Sequence, residues 1–205
     1  MENTNSEEII NLLKTHKIPK KYSESILRGI NHFSLRKQIV GLQGFALLTH
    51  EWIDEFVKWI GDRKCLEIMA GCGSLSKVLK DKNIDIIATD NYSWGSEAYN
   101  WNKNKNYWTD IENLDCIKAI EKYKDRDIVI MSWAYMDENA YKCLLKMREV
   151  KPNMVMVVIG EGEGGCTADD DFFNEYKEIR SKDLDYINLL YQRWDGLYDH
   201  IMVVK

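Results

Sequence analysis

Residues 64–79 read Lys64-Cys-Leu-Glu-Ile-Met-Ala-Gly-Cys-Gly-Ser-Leu-Ser-Lys-Val-Leu79, and residues 84–90 read Ile84-Asp-Ile-Ile-Ala-Thr-Asp90. In the first stretch, a short apolar run leads into a turn with two glycines, after which apolar residues recur at helical spacing. The second stretch is an apolar run that ends in an acid. Together they predict strand, turn, helix and strand, which is the opening unit of a nucleotide-binding α/β sheet. Because glycine turns let a ligand approach the backbone, this unit also marks the candidate site.

The rest of the chain continues the alternation of strands and helices. Residues 111–114 predict a weak third strand, and residues 127–131 and 154–159 are apolar runs typical of strands buried on both faces. A helical pattern over residues 138–150 separates these last two runs. The predicted fold is α/β: a Rossmann-like, doubly wound, mostly parallel sheet with an antiparallel C-terminal strand and helices on both faces.

Both ends of the chain add to this core. Residues 170–182 predict a helix, and the β-like runs 187–194 and 200–204 predict a terminal hairpin. The N-terminal part has helical patterns only, which predicts a helical cap over residues 1–44 and an α/β domain over residues 45–205. Thr49 is expected to cap a helix that ends at Gly61, directly before the first strand.

The residues around the turn distinguish two classes of cofactor. A dinucleotide fingerprint needs a third glycine where this chain has Ser76. The Glu67 carboxylate at the strand end would also repel a pyrophosphate. The Glu67 carboxylate suits a cationic ligand without phosphate, such as S-adenosylmethionine. Asp90 can accept hydrogen bonds from the ribose hydroxyls of that ligand. A nucleotide-binding oxidoreductase is therefore the weaker alternative.

From about Phe45 to the C-terminus, the sequence resembles the class I S-adenosylmethionine-dependent methyltransferases. Their first motif has an acid followed by three glycines at alternate positions. Here Glu67 is the acid, Gly71 and Gly73 match the second and third glycines, and Met69 stands at the first. The resemblance implies that the chain binds S-adenosylmethionine and transfers its methyl group.

The resemblance also implies roles for residues at the strand ends. Asp90 resembles the acid that binds the ribose, and Asp115-Cys116 resembles the pair that flanks the adenine. Amino-methyltransferases carry two prolines where this chain has Ser132-Trp133-Ala134-Tyr135, which argues against adenine-N6-type chemistry. Glu67 is expected at the methionine amino group. The full set of expected cofactor residues is Glu67, Met69, Ala70, Gly71, Gly73, Asp90, Asn91, Tyr92, Asp115, Cys116, Ser132 and Trp133.

Two residues are candidates for catalysis. The loop over residues 160–173 contains four glycines and five acids, and Glu161 opens it directly after a predicted strand. Glu161 is the expected general base or amine anchor, and Tyr135 is expected to orient the acceptor by a hydrogen bond. The alternative for the acids is that they cap and stabilise the following helix. No metal site is expected, because the four histidines are scattered.

Aromatic residues crowd the segment after the second predicted strand. Trp94, Trp101 and Trp108 are interleaved there with asparagines and lysines. Such a segment predicts a lid that stacks on the adenine or on the substrate. Tryptophans at near-helical spacing are also typical of a core, so both interpretations stay open for Trp101 and Trp108.

Composition narrows the class of protein. The chain has 205 residues, a net charge of −5 and five cysteines without a C-x-x-C pair, which favours reduced thiols and a cytoplasmic location. No apolar run is long enough for a membrane span, and the acidic charge does not favour a nucleic-acid partner. The expected acceptor is a small molecule methylated at N or O. The alternatives are a non-catalytic methyltransferase-like binding module and an RNA- or tRNA-directed methyltransferase; the oligomeric state stays open.

Overall fold

The computed structural model describes residues 6–29, 32–93 and 106–205. In these ranges the strands form a six-stranded sheet in the order β3-β2-β1-β4-β5-β6. Neighbouring strands are parallel except for β6, which runs antiparallel to β5. The predicted fold class is therefore confirmed. The strands are β1 (Cys65–Ile68), β2 (Ile86–Asp90), β3 (Glu112–Asn113), β4 (Ile128–Ser132), β5 (Val155–Gly160) and β6 (His200–Val204).

Helices cover both faces of this sheet, because successive strand residues point to opposite sides. Cys65 packs into one hydrophobic cluster and Leu66 into the other. The first cluster contains buried side chains from α1–α5 and α9, and the second contains buried side chains from α6–α8. The helices are α1 (Ser6–Lys14), α2 (Glu24–Arg28), α3 (His32–Gln43), α4 (His50–Ile60), α5 (Ser74–Asp81), α6 (Cys116–Lys122), α7 (Asn139–Val150), α8 (Asp170–Glu175) and α9 (Lys182–Leu190).

The N-terminal helices share the core of the first cluster. Ile9 and Leu13 of α1 and Ile39 of α3 are fully buried in the cluster that also holds Trp52 and Phe56 of α4. Thr49 precedes α4 as predicted, but its hydroxyl has no hydrogen-bond partner in the described part of the chain. The side chain therefore does not act as the cap. None of the described helices is long and apolar enough to cross a membrane.

The predicted terminal hairpin is wrong, because residues 187–190 belong to helix α9. The Ser181 hydroxyl caps this helix by accepting a hydrogen bond from the Leu184 N–H at 3.2 Å. Leu184 and Ile187 lie one turn apart and bury one face of the helix. The Asn188 amide bonds to both backbone groups of Ile201 at 2.8 Å, so a helix side chain takes the position of the missing strand.

The helix predicted over residues 170–182 is also shorter than expected. Helix α8 ends at Glu175, and Glu178 then forms an isolated bridge with Val204 of β6. The chain here adds an extended contact to the outer edge of the sheet. An edge strand exposes unpaired backbone groups, and this contact covers some of them.

Candidate active site

A cleft opens at the carboxyl ends of β1, β2 and β4, where the strand order reverses between β1 and β4. Ligands bind at this position in open α/β sheets because the loops diverge there. The space within the cleft is about 860 Å³, part of it open to solvent. The predicted residues that line it are Glu67, Met69, Ala70, Gly71, Asp90, Asn91, Cys116, Ser132, Trp133 and Tyr135.

Asp90 is held rigidly at the end of β2. Its Oδ2 atom accepts the Gly71 N–H at 2.7 Å, and its Oδ1 atom accepts the Tyr92 N–H at 2.6 Å. The side chain is 2% exposed. A carboxylate is a hydrogen-bond acceptor that suits the hydroxyl groups of a ligand. The two backbone bonds fix the orientation of this carboxylate.

Glu67 lies buried at the end of β1 and reaches the start of α5. Its Oε2 atom accepts the Ser76 backbone N–H at 3.0 Å and also the Ser76 hydroxyl. Burial raises the pKa of Glu67 to about 7, although the two hydrogen bonds from Ser76 oppose this and the nearby Asp90 charge adds to it. The carboxyl group therefore changes charge near neutral pH.

The turn between β1 and α5 explains the alternate-position motif. Met69, Gly71 and Gly73 have φ values of 52°, 58° and 70°, so every second residue is left-handed. Glycine adopts this conformation freely, whereas another residue loses about 1–2 kcal/mol. Met69 therefore takes the backbone conformation that a glycine would take at the same position, and the turn keeps its shape.

Replacing Gly73 by alanine is expected to destabilise the fold by about 2–4 kcal/mol, because strain and crowding add. A Cβ atom at this position would lie 2.9 Å from Thr109 Cγ2 and 3.1 Å from Ile111 Cδ1. Gly196 is a matched control, since its φ is 78° and a Cβ there would have no atom within 4 Å. Gly196→Ala is expected to lose only about 1 kcal/mol. Urea unfolding measures both, and equal losses would exclude crowding at residue 73.

Three predicted cofactor residues support the cleft from behind. Gly73 packs against Thr109 and Ile111, as described above. The Tyr92 hydroxyl donates to the Ile111 carbonyl at 3.2 Å. The Asp115 carboxylate accepts the N–H groups of Ile117 at 3.0 Å and Lys118 at 3.4 Å, so it caps α6. Cys116 therefore lines the cleft, whereas the Asp115 carboxylate does not.

Glu161 braces the loop after β5. Its Oε1 atom accepts the Tyr198 N–H and its Oε2 atom accepts the Cys166 N–H, both at 2.9 Å. Burial opposes ionisation, but these donors and the Arg36 charge lower the pKa of Glu161 below its usual value. The neighbouring acid Asp169 caps α8 by accepting the Phe172 N–H at 3.0 Å. This geometry matches the alternative in which the loop acids are structural.

Glu161→Gln is expected to destabilise the fold by about 1–3 kcal/mol, because one backbone donor would face the new amide NH₂ group. Glu163→Gln is the matched control, since Glu163 is exposed in the same loop and its replacement should stay within about 0.5 kcal/mol. Thermal or urea unfolding of both variants makes the comparison. A Glu161→Gln protein with unchanged stability and reduced turnover would instead favour the general-base role.

The sequence did not predict the wall formed by residues 43–48. Gln43, Gly44, Phe45, Ala46 and Leu48 all line the cleft, and Asn139 joins them from α7. The Ser74 hydroxyl donates to the Gln43 carbonyl, which ties this wall to α5. The glycine at position 44 is the sequence feature that indicates a turn here, and its φ in the structure is 93°.

Trp108 anchors the same wall. It is 3% exposed, and its indole N–H donates to the Leu42 carbonyl at 2.7 Å, which identifies it as a core residue. Trp94 and Trp101, the other residues of the expected lid, lie outside the described residues. Within the described ranges, no group of three histidine, cysteine or acidic side chains is placed to hold a metal ion.

Comparisons with known proteins give weak likenesses. No protein-family model matches the chain, and no curated protein does. Magnesium protoporphyrin IX methyltransferase from Synechocystis PCC 6803 aligns with 14% identity and a TM-score of 0.49, covering 89% of this chain and 88% of its own. A TehB-like S-adenosylmethionine-dependent methyltransferase from Corynebacterium glutamicum aligns with 13% identity and a TM-score of 0.49, covering 85% and 96%. Likeness at this level assigns no activity to this chain.

Proposed function

We propose that the chain is an S-adenosylmethionine-dependent methyltransferase that acts on nitrogen or oxygen of a small-molecule acceptor. The observation that carries the proposal is the hydrogen bond from the Ser76 N–H to Glu67. Free N–H groups at a helix start are the donors that a pyrophosphate uses. Here the protein's own carboxylate takes one of them, and its charge disfavours a second anion. A cofactor with cationic groups and no phosphate fits this cleft better than a dinucleotide.

The chemistry of the donor set supports this cofactor. Glu67 supplies an anionic group for the methionine ammonium, and Asp90 supplies acceptors for the ribose diol. When bound, S-adenosylmethionine supplies a methyl group activated by its sulfonium. The contribution of the chain is then to hold the two reactants in line and to take up a proton from the acceptor.

Tyr135 is the proposed group that orients the acceptor. It follows β4, lines the cleft and is 40% exposed at the rim, so a ligand can reach its hydroxyl. Glu161 is the proposed base, but it is not among the residues that line the cleft and both of its oxygens accept backbone N–H groups, so this role requires the loop to move. The comparison of Glu161→Gln with Glu163→Gln distinguishes a general base from a structural residue at position 161.

The walls of the cleft support a small acceptor. Phe45 and Trp133 stack with their ring centroids 5.4 Å apart, and residues 43–48 cover one side. We infer that residues 1–44 act as a cap whose last residues, Gln43 and Gly44, contribute to this wall over the domain at residues 45–205. An aromatic wall suits a flat or apolar small molecule, and the net charge of −5 does not favour RNA.

A turnover screen tests the proposal. The protein is incubated with S-adenosylmethionine and separate pools of amines, phenols, carboxylates and RNA, and formation of S-adenosylhomocysteine is measured. At least one small-molecule pool should give turnover that Asp90→Ala abolishes. Binding of the cofactor without turnover in any pool would favour the non-catalytic binding module, and turnover with RNA alone would favour an RNA-directed enzyme.

A further inference from the structure

Asp199 is a buried carboxylate that the proposed reaction does not use. It lies directly before β6 and is 2% exposed. Its Oδ2 atom accepts the Tyr191 hydroxyl at 2.7 Å. Its Oδ1 atom is buried and has no hydrogen-bond partner among residues 6–29, 32–93 and 106–205. A buried carboxylate oxygen without a donor loses free energy, so this atom needs an explanation.

A second buried group without a hydrogen-bond partner among the described residues is a donor, the indole N–H of Trp133. Its Nε1 atom is also buried and also lacks a partner in the described part of the chain. The Trp133 backbone N–H donates to the Ile159 carbonyl at 2.7 Å, and Ile159 pairs with Ile201, two residues after Asp199. Trp133 is thereby held beside the start of β6.

The two orphaned groups lie at the same end of the sheet, because Ser132, directly before Trp133, and Ile201, two residues after Asp199, both pair with Ile159 of β5. Burial raises the pKa of Asp199, whereas the Tyr191 hydroxyl, the Asp199 backbone N–H and the Trp133 indole N–H lower it. Burial also raises the pKa of Tyr191, and the same indole N–H opposes that rise. Glu161 is the other charged group that acts on Asp199. The indole N–H therefore acts electrostatically on the Tyr191–Asp199 pair, and it has no direct hydrogen-bond partner in the described part of the chain.

Trp133 is also one of the residues that line the cleft. Its ring stacks on Phe45 with an interplanar angle of 26°. Its backbone is left-handed, with φ 54°, a conformation that a bulky residue adopts only when its surroundings impose it. The position of the aromatic wall thus depends on the groups that surround the buried indole N–H, among them Tyr191 and Asp199.

We propose that Asp199 is a positioning residue: together with Tyr191 it attracts the buried Trp133 indole N–H and so sets the position of the aromatic wall on the acceptor side of the cleft. The residue acts through Trp133 and does not touch the cofactor. The inference rests on the proposed function only in naming that wall as the acceptor side. Its physical content is a coupling between a buried carboxylate and a ring that a ligand contacts.

Indole N–H resonances of the ¹⁵N-labelled protein test the coupling. Trp133→Phe assigns the Trp133 signal by its loss, and Asp199→Asn should then shift that signal more than any other indole signal. Asp195→Asn is the matched control, because Asp195 is an exposed acid in the same loop and should leave the signal in place. Affinity for S-adenosylhomocysteine should stay within about twofold in Asp199→Asn, as for a residue that touches no cofactor.

Two results would overturn the proposal: an unmoved Trp133 signal in Asp199→Asn, or a loss of S-adenosylhomocysteine affinity as large as that of Asp90→Ala. If Asp199→Asn does not fold, Tyr191→Phe decides. It frees the carboxylate for the indole, and the Trp133 signal should move downfield; no movement there counts against the coupling. A protein that binds no S-adenosylhomocysteine but shows the Asp199-dependent shift would refute the cofactor and leave the positioning role intact.

Discussion

Asp90→Ala is expected to weaken S-adenosylmethionine binding by roughly 10²–10⁴-fold, since two hydrogen bonds to a charged group contribute about 1.5–3 kcal/mol each. The substitution also leaves the Gly71 and Tyr92 N–H groups without the acceptor that shapes the turn. The loss should therefore affect the ribose and the backbone that contacts it. Isothermal titration calorimetry measures the change directly.

Two variants control for indirect effects. Asp90→Asn keeps one carbonyl acceptor and the shape of the side chain, so we expect an intermediate loss of about tenfold. Asp110→Ala removes an exposed acid from a nearby loop and should leave the affinity unchanged. A folded Asp90→Ala protein with the affinity of the wild type would exclude Asp90 from the cofactor site.

Cofactor affinity is expected to rise roughly tenfold between pH 5.5 and 7 and to level off above it, because Glu67 has a pKa of about 7 in the free protein. A cationic cofactor favours the ionised carboxylate and lowers its pKa, so binding releases a proton below pH 7. Calorimetry in buffers with different ionisation enthalpies measures that proton. The range from pH 5.5 to 7 lies below the usual pKa of the cofactor's own amino group, so that group stays protonated throughout.

Glu67→Gln should bind the cofactor more weakly at pH 7 and lose both the pH dependence and the proton release. Wild-type affinity that is flat with pH would mean that Glu67 does not face a cationic group.

The raised pKa of Glu67 also makes the stability of the fold depend on pH. Because folding raises the pKa of Glu67, its contribution to stability is complete below about pH 4.5 and is lost as the pH rises through 7.

The sequence predicted the parts of the fold that depend on local patterns. The β1 turn follows from two glycines at fixed spacing, and the buried strands follow from their continuous apolar runs. Residues 187–190 were misassigned because Ile187-Asn-Leu-Leu-Tyr191 mixes apolar and polar residues without a clear helical or extended period. The Ser181 cap and the tertiary contacts of Asn188 with β6 favour the helix.

The candidate site was predictable only in part for the same reason. Asp90 and Glu67 stand at strand ends, and topology brings strand ends together. The wall at residues 43–48 comes from a segment between helices, and its place depends on long-range bonds such as that from Ser74 to Gln43. The roles of Glu161 and Asp199 depend on which backbone and side-chain donors surround them, and no spacing in the sequence encodes that.

The measurement that tests the central claim most directly is a calorimetric titration of the wild-type protein with S-adenosylmethionine and S-adenosylhomocysteine, with NAD as the comparison. We expect one molecule of either sulfur compound to bind with micromolar affinity and NAD not to bind. Binding of NAD in preference to both would contradict the assignment, as would the absence of binding by S-adenosylmethionine and S-adenosylhomocysteine to the folded protein.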